Sequence, residues 1–406
     1  MRIVTAPRVL VVIGTRPEAI KLAPVVRAAR AVAFDVQVCV TGQHREMLRP
    51  ILELFDITAD HDLDLMTPGQ TLSGLTAAAL EGTTRVIEAC NPSWVIVQGD
   101  TTTAMAASLA SFYRGVPVAH VEAGLRTNDK RQPFPEELNR RIVDDVTDFH
   151  FAPTERARAN LLREGHSPAT VRVTGNTGID ALRHAISLDY EMGRGPLAAL
   201  PHDRRTVLVT AHRRESFGAG MVAICRALLQ LVDEVEDIQV VYPVHLNPNV
   251  QDPVREHLSG HERITLLPPL DYVSLIQLMR ASVLILTDSG GIQEEAPTLG
   301  RPVLVLRDVT ERPEAVEAGC ARVVGTNAPR IVREARRLLE DATAYRRMAH
   351  VANPFGDGHA SERIVNALRI APPHTNSLAP LHHVPMPDFT WAPIGAMPAG
   401  STNGES

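Results

Sequence analysis

The sequence predicts an α/β protein made of two doubly wound units in tandem. Three observations carry that expectation. At 406 residues the chain is too long for one ordinary core. Short, unbroken aliphatic runs alternate with segments of helical character, the pattern of a parallel sheet covered on both faces. The same rhythm then restarts in the second half.

In the first half, Val9-Leu-Val-Val-Ile13 is a continuous strand-like run that stops at Gly14-Thr-Arg-Pro-Glu18. Pro17 suits the first turn of a helix, where its missing N–H has no partner to lose. The next strand-like runs are Val36–Thr41, Trp94–Gly99 and Val116–Val121, each followed by a polar turn and a helical pattern. A helix is expected over Glu136–Phe149. The second half repeats the scheme with Thr206–Thr210, Ile238–Val244, Ile264–Leu267, Val283–Thr287 and Pro302–Leu306. The junction falls near Thr174-Gly-Asn-Thr-Gly178, which gives a first domain over 1–175 and a second over 176–352. A terminal helix occupies 353–370. Beyond it, residues 371–406 hold seven prolines and no Lys or Arg, which reads as a disordered tail. The pair His382-His383 lies within that solvated segment and is not expected to bind metal.

Composition narrows the function. Aromatic residues make up 4%, so the cores must be aliphatic, and a net charge of −6 argues against a nucleic-acid partner. Cys39, Cys90, Cys225 and Cys320 are far apart, with no zinc spacing, and read as reduced structural thiols. The run Val9–Ile13 is too short for a signal-peptide core or a membrane span, so a cytoplasmic protein is expected.

Ligands of open α/β sheets bind beyond the carboxyl ends of the strands, and the reactive residues collect there. Strand ends carry Arg16, with Lys21 a turn further on, Asp100, His120-Val-Glu122, His212-Arg213-Arg214, Pro243-Val-His245 and Asp288-Ser289-Gly290-Gly291. Two glycines opening a helix let a phosphate approach bare N–H groups, helped by the helix dipole. Glu295, about one turn on, suits a ribose diol, although a solvated acidic first turn would look the same. Asp100 could equally cap a helix. Glu122 leaves a buried strand and must have a partner or a task, and Glu136 could serve only the dipole of its helix. Gly218-Ala-Gly220-Met-Val-Ala223 has dinucleotide-binding spacing, but residues 212–217 separate it from its strand, so no nicotinamide site is expected. No cofactor and no metal are expected.

Longer motifs carry a resemblance. Gly14-Thr-Arg-Pro-Glu-Ala-Ile-Lys21, Gly99-Asp-Thr-Thr-Thr103, His120-Val-Glu-Ala-Gly-Leu-Arg-Thr127, Pro133-Phe-Pro-Glu-Glu137, Thr210-Ala-His-Arg-Arg-Glu-Ser216, Tyr242–Asn249, Asp288–Glu295 and Thr310-Glu-Arg-Pro-Glu314 resemble UDP-N-acetylglucosamine 2-epimerases of the non-hydrolysing type. The match runs in order from about residue 8 to 370. It implies a glycosyltransferase-B-like fold, with two Rossmann-like domains facing a cleft, a last helix near Ser361–Ile370 that returns to the first domain, and a homodimer. It implies a UDP-sugar substrate, without nucleic-acid or membrane partners, and a place in cell-envelope polysaccharide synthesis. UDP contacts would fall on His212, Ser289, Gly290, Gly291 and Glu295, with Arg16, Lys21 and Arg312 beside the ligand. Acid/base chemistry would fall on Asp100, Glu122 and Glu136, with His212 steadying the leaving group. A second, activating UDP-sugar would be sought at Gln43, His44 and His245.

The hydrogen on carbon 2 of that sugar has no neighbouring carbonyl, so an epimerase without a redox cofactor must expel UDP and pass through a glycal. A glycosyltransferase, a hydrolysing epimerase and a non-catalytic sensor are the competing readings. A sensor has no use for three acids at strand ends and loops.

Overall fold

The computed structural model describes residues 7–42, 45–67, 69–201 and 203–370. Gln43, His44 and the segment 371–406 lie outside the described residues. The first sheet holds β1 (Arg8–Ile13), β2 (Asp35–Val40), β3 (His61–Asp62), β4 (Trp94–Gln98), β5 (Val118–Val121), β6 (Phe149–Ala152) and β7 (Val171–Val173). The second holds β8 (Arg205–Thr210), β9 (Ile238–Pro243), β10 (Ile264–Leu267), β11 (Ser282–Thr287), β12 (Val303–Val305) and β13 (Ala321–Val323). The spatial orders are 3-2-1-4-5-6-7 and 10-9-8-11-12-13, and every pairing is parallel. These are two Rossmann-like sheets.

Alternation within the strands explains why both faces are covered. Val9, Val11 and Ile13 of β1 face one side, with Leu22 and Val26 of the helix Arg16–Ala31. Leu10 and Val12 face the other, with Val86 and Ala107. Each such side chain, fully withdrawn from water, contributes about 1.5–3 kcal/mol before entropy is counted. In each sheet the strand order reverses once, between β1 and β4 and between β8 and β11. Loops leave those neighbouring strands in opposite directions and open a crevice, which is where ligands of such sheets bind.

The chain crosses between the sheets twice, and the two crossings touch. The Asn176 amide donates to the Phe355 carbonyl at 2.7 Å. Gly175 and Gly356, both at positive φ, approach so closely that a Cβ on Gly175 would lie 3.3 Å from the Gly356 Cα. The helix Thr177–Ser187 then buries Ile179, Leu182 and Ala185 in an apolar cluster that runs on to Leu208 and Ile285 of the second sheet. The last helix, Ala360–Ile370, lies against Arg16–Ala31 and Thr177–Ser187. Asp180 receives its Ala360 and Ser361 amides at 3.2 and 2.8 Å.

One expected helix runs short, and β3, β6, β7 and β13 are strands not expected from the sequence. The helix from Glu136 ends at Val146, and Phe149 opens β6. The central His150 disguises that strand in the sequence. It is 1% exposed and donates from Nε2 to the Asp144 carbonyl at 3.0 Å, so it is buried with its backbone-side partner supplied.

Candidate active site

The loop after β1 is tied to the loop after β4 by one buried acid. Glu18 accepts the Gly14 and Thr15 amides at 3.1 and 2.6 Å and the Thr101 hydroxyl at 2.7 Å. Burial pushes its carboxyl up to about 7 in spite of those donors. Gly14 is required by packing, because a Cβ there would lie 2.3 Å from Thr103 Oγ1.

Asp100 follows Gly99, which turns off β4 at φ +72°. Its carboxylate pairs with Arg140 at 2.7 Å, and its carbonyl accepts from Asn139 at 2.9 Å. Glu136 begins the same helix that supplies Asn139 and Arg140. Its Oε2 is buried and has no hydrogen-bond partner among the described residues.

Glu122 directly follows β5 at φ +68°, in the left-handed region. A non-glycine residue there costs about 1–3 kcal/mol, and such strain gathers at functional sites. Its Oε2 accepts from Lys21 and from Gln98, each at 2.5 Å. Lys21 also lies 3.6 Å from Glu294, on the helix Gly290–Glu295 that follows β11 of the second sheet. Arg312 donates to Glu294 and stands 4.0 Å from Glu122. Burial opposes the charge on Lys21, but Glu122 and Glu294 overcome it and raise its pKa. Burial likewise opposes the Glu294 carboxylate, and Arg312 and Lys21 hold it below its ordinary value. Two acids and two bases, drawn from both sheets, thus alternate across the cleft. Buried ion pairs are poor stabilisers because desolvation consumes their attraction, so the cluster points to a task other than stability.

On the second sheet, Asp288 at the end of β11 is fully buried and receives the His212 and Arg213 amides at 2.6 and 2.7 Å. It thereby fixes the loop leaving β8. The His212 ring stacks on His245, with centroids 5.3 Å apart and 13° between planes. Burial lowers the His212 pKa; Asp288 opposes that shift, and His245 and Arg213 add to it. Ser289 precedes the helix Gly290–Glu295. Arg312 lies over Gly290, where a Cβ would sit 3.6 Å from its guanidinium carbon. Glu295 accepts from the Tyr272 hydroxyl at 3.1 Å. Burial pushes its carboxyl up to about 8, Tyr272 draws it down, Glu294 adds to the rise, and the charges of Lys21 and Arg16 draw it back.

The geometry joins Lys21, Glu122, Arg312 and Gly290 directly, and ties Asp100 to the helix of Glu136. His212 and His245 form a separate stacked pair. Cavities of about 590 Å³, beside Phe55 and His184, and 620 Å³, beside Thr154 and Asn353, are lined by none of these acids. Glu294 and Arg140 were not singled out from the sequence. The available signal for Glu294 was spacing, since it lies four residues after Gly290 and so shares its helix face. Gly218 opens the helix Ala219–Glu234 with residues 211–217 between it and β8, away from a dinucleotide-binding arrangement. Among the described residues no group of three or more His, Cys, Asp or Glu could hold a metal ion, and no helix is long and apolar enough to cross a membrane.

Comparison with known proteins gives these positions a context. The chain is 53% identical over 370 residues to the UDP-N-acetylglucosamine 2-epimerase of Yersinia pestis, covering 89% of this chain and 98% of that one. The crystal structure of UDP-GlcNAc 2-epimerase from Neisseria meningitidis bound to UDP-GlcNAc superimposes with a TM-score of 0.82 at 45% identity, covering 89% and 99%. The glycotransferase of kitacinnamycin, at 10% identity, shares the fold alone, with a TM-score of 0.59 over 90% and 98% of the two chains. The family model described as UDP-N-acetylglucosamine 2-epimerase matches residues 27–369, and the chain belongs to that family.

Proposed function

We propose that this protein interconverts UDP-N-acetylglucosamine and UDP-N-acetylmannosamine by expelling and re-adding UDP. The observation that carries the reading is the alternating cluster of Lys21, Glu122, Arg312 and Glu294. It sets a strained carboxylate from the first sheet within 4.0 Å of a guanidinium that covers the glycine turn of the second.

The assigned roles follow from chemistry. The Ser289-Gly290-Gly291 turn, Arg312, Arg16, Lys21 and His212 hold the diphosphate, and Glu295 takes the ribose diol. The bond from carbon 1 to the diphosphate oxygen breaks, with the electron pair leaving on UDP. The cationic character left at carbon 1 acidifies the carbon 2 hydrogen, a carboxylate removes that proton, and a double bond joins the two carbons. A proton returned to the opposite face, with UDP re-adding at carbon 1, completes the inversion without net oxidation. Asp100, Glu122 and Glu136 divide removal and return of the proton between them. Positioned acids and bases of this kind typically give ~10²–10⁴-fold each. Preorganised cations stabilise the charge that develops on the leaving diphosphate. Contacts across the cleft keep UDP in place until it re-adds. We assign the working form as a homodimer, which sedimentation equilibrium would test.

Incubation with UDP-N-acetylglucosamine in deuterated water, followed by proton NMR, tests the reading. Deuterium at carbon 2 of a UDP-linked mannosamine product is expected. Free N-acetylmannosamine would replace the proposal with a hydrolysing epimerase, and unchanged substrate would replace it with a transferase or a sensor.

A further inference from the structure

We propose that His120 is a positioning residue for this reaction, clamped by Asp144 and holding the Gly99 carbonyl so that Asp100 is aimed into the cleft. The inference rests on the acid/base assignment of Asp100 made above.

His120 lies on β5 beside β4 and is 1% exposed. Its Nδ1 is 2.7 Å from Asp144 Oδ1, and its Nε2 is 2.7 Å from the Gly99 carbonyl oxygen. That carbonyl belongs to the peptide joining Gly99 to Asp100, so its direction sets the plane from which Asp100 departs. Gly99 is left-handed, a conformation that leaves the chain free to turn more than one way. The β5 strand removes that freedom from both sides: the Val121 carbonyl takes the Gly99 amide at 3.0 Å, and His120 takes its carbonyl.

Asp144 is itself fixed. It is fully buried, and its other oxygen accepts from Arg126 at 2.7 Å and from the Gly124 amide at 3.3 Å. Burial opposes its charge, yet His120 and Arg126 hold its carboxyl well below the usual carboxylate range. Arg126 is anchored by Glu164 through two nitrogens, at 2.8 and 2.6 Å. Asp144 sits on the helix Glu136–Val146, which also supplies Asn139 to the Asp100 carbonyl and Arg140 to its carboxylate. One rigid element therefore grips the Gly99–Asp100 turn at three points, and the same element begins with Glu136. The helix sets two of the three proposed acids in one frame. A buried charged network is a costly way to fill space, whereas misplacement of a catalytic group by about 1 Å costs ~10²-fold in rate.

The experiment is a double-mutant cycle read by deuterium exchange at carbon 2 and by calorimetric UDP binding. His120→Gln is expected to lose ~10²-fold in kcat while its Kd for UDP stays put. In the Asp100→Asn background the same substitution should cost no more than about twofold, because the group it aims is gone. Independent, multiplicative losses would overturn the clamp while leaving Asp100 in the mechanism. Full turnover in Asp100→Asn alone would remove the acid/base assignment and the clamp with it. A weakened Kd for UDP equal to the loss in kcat would make His120 a merely structural residue. Should His120→Gln fail to fold, Asp144→Asn, which keeps its size, is read in the same cycle. Free imidazole should restore turnover to His120→Ala, and failure of that rescue in a folded variant counts against the clamp.

Discussion

Glu294→Gln keeps the shape of a side chain that is 4% exposed and removes only its charge. Arg312 and Lys21 would then share Glu122, with Glu311 at 4.0 Å from Arg312 as its further anionic neighbour. Removing one partner of a buried ion pair typically costs about 3–5 kcal/mol. Because Glu122 remains 2.5 Å from Lys21, the lower end, about 3 kcal/mol, is expected. For domains of this size each kcal/mol moves the melting temperature by roughly 2–4 °C, so a fall of roughly 6–12 °C should follow. In the proposed complex, the diphosphate of UDP would supply the missing negative charge. UDP should therefore raise the melting temperature of the variant more than that of the wild type, as differential scanning calorimetry would read. A variant that melts within about 1 °C of wild type, or gains no more from UDP than wild type does, refutes the account of the cluster.

Glu122→Gln retains size and should still bind UDP while losing ~10²–10⁴-fold in carbon 2 exchange; undiminished exchange removes Glu122 from the mechanism. Glu18 titrates at about 7 in the fold against 4.5 unfolded, so the fold prefers its protonated form. That preference adds up to about 3 kcal/mol below pH 4.5 and is lost as pH rises through 7. Urea midpoints at pH 5 and pH 8 should diverge between wild type and Glu18→Gln, and parallel pH profiles would contradict the assignment. Gly14→Ala places a Cβ 2.3 Å from Thr103 Oγ1 and should cost about 1–3 kcal/mol in urea denaturation through overpacking; a neutral result would show that the loop after β1 yields.

The strands that could be read from the sequence are the ones buried on both faces. β1, β8 and β11 are such strands, and their bounds moved by no more than a residue at either end; the edge strand β10 kept its bounds although only Ile264 is buried. β3, β7 and β13 span only two or three residues and leave no run to detect. β6 was concealed by a histidine whose partner lies on another element. Strand ends and glycine turns, where polar residues concentrate, pointed to Asp100, Glu122 and Gly290 as candidates, and the structure sets them just beyond β4, β5 and β11. The partners that fix those groups were not, because they depend on register. Gln98 meets Glu122 because it pairs with Val121 across β4 and β5. Arg140 reaches Asp100 from 40 residues away. Glu294 and Glu295 are adjacent in sequence and point to different faces of one short helix, so one joins the ion cluster and the other a tyrosine. Only packing separates them.

The paired crossings at Gly175 and Gly356 have a mechanical consequence. A single peptide linker lets two bodies bend, twist and slide, whereas two linkers lying side by side act like a door hung on adjacent pins. Bending across the pair moves both linkers together, while twisting would have to stretch one against the other and break the Asn176–Phe355 bond. Bending about that pair would part Lys21 and Glu122 from Glu294 and Arg312, whose contacts span the two sheets. In the proposed reaction, entry of a nucleotide and loss of the ion cluster would then be the same movement. A break within either linker, beside Gly175 or beside Gly356, would remove that restraint even with both sheets intact.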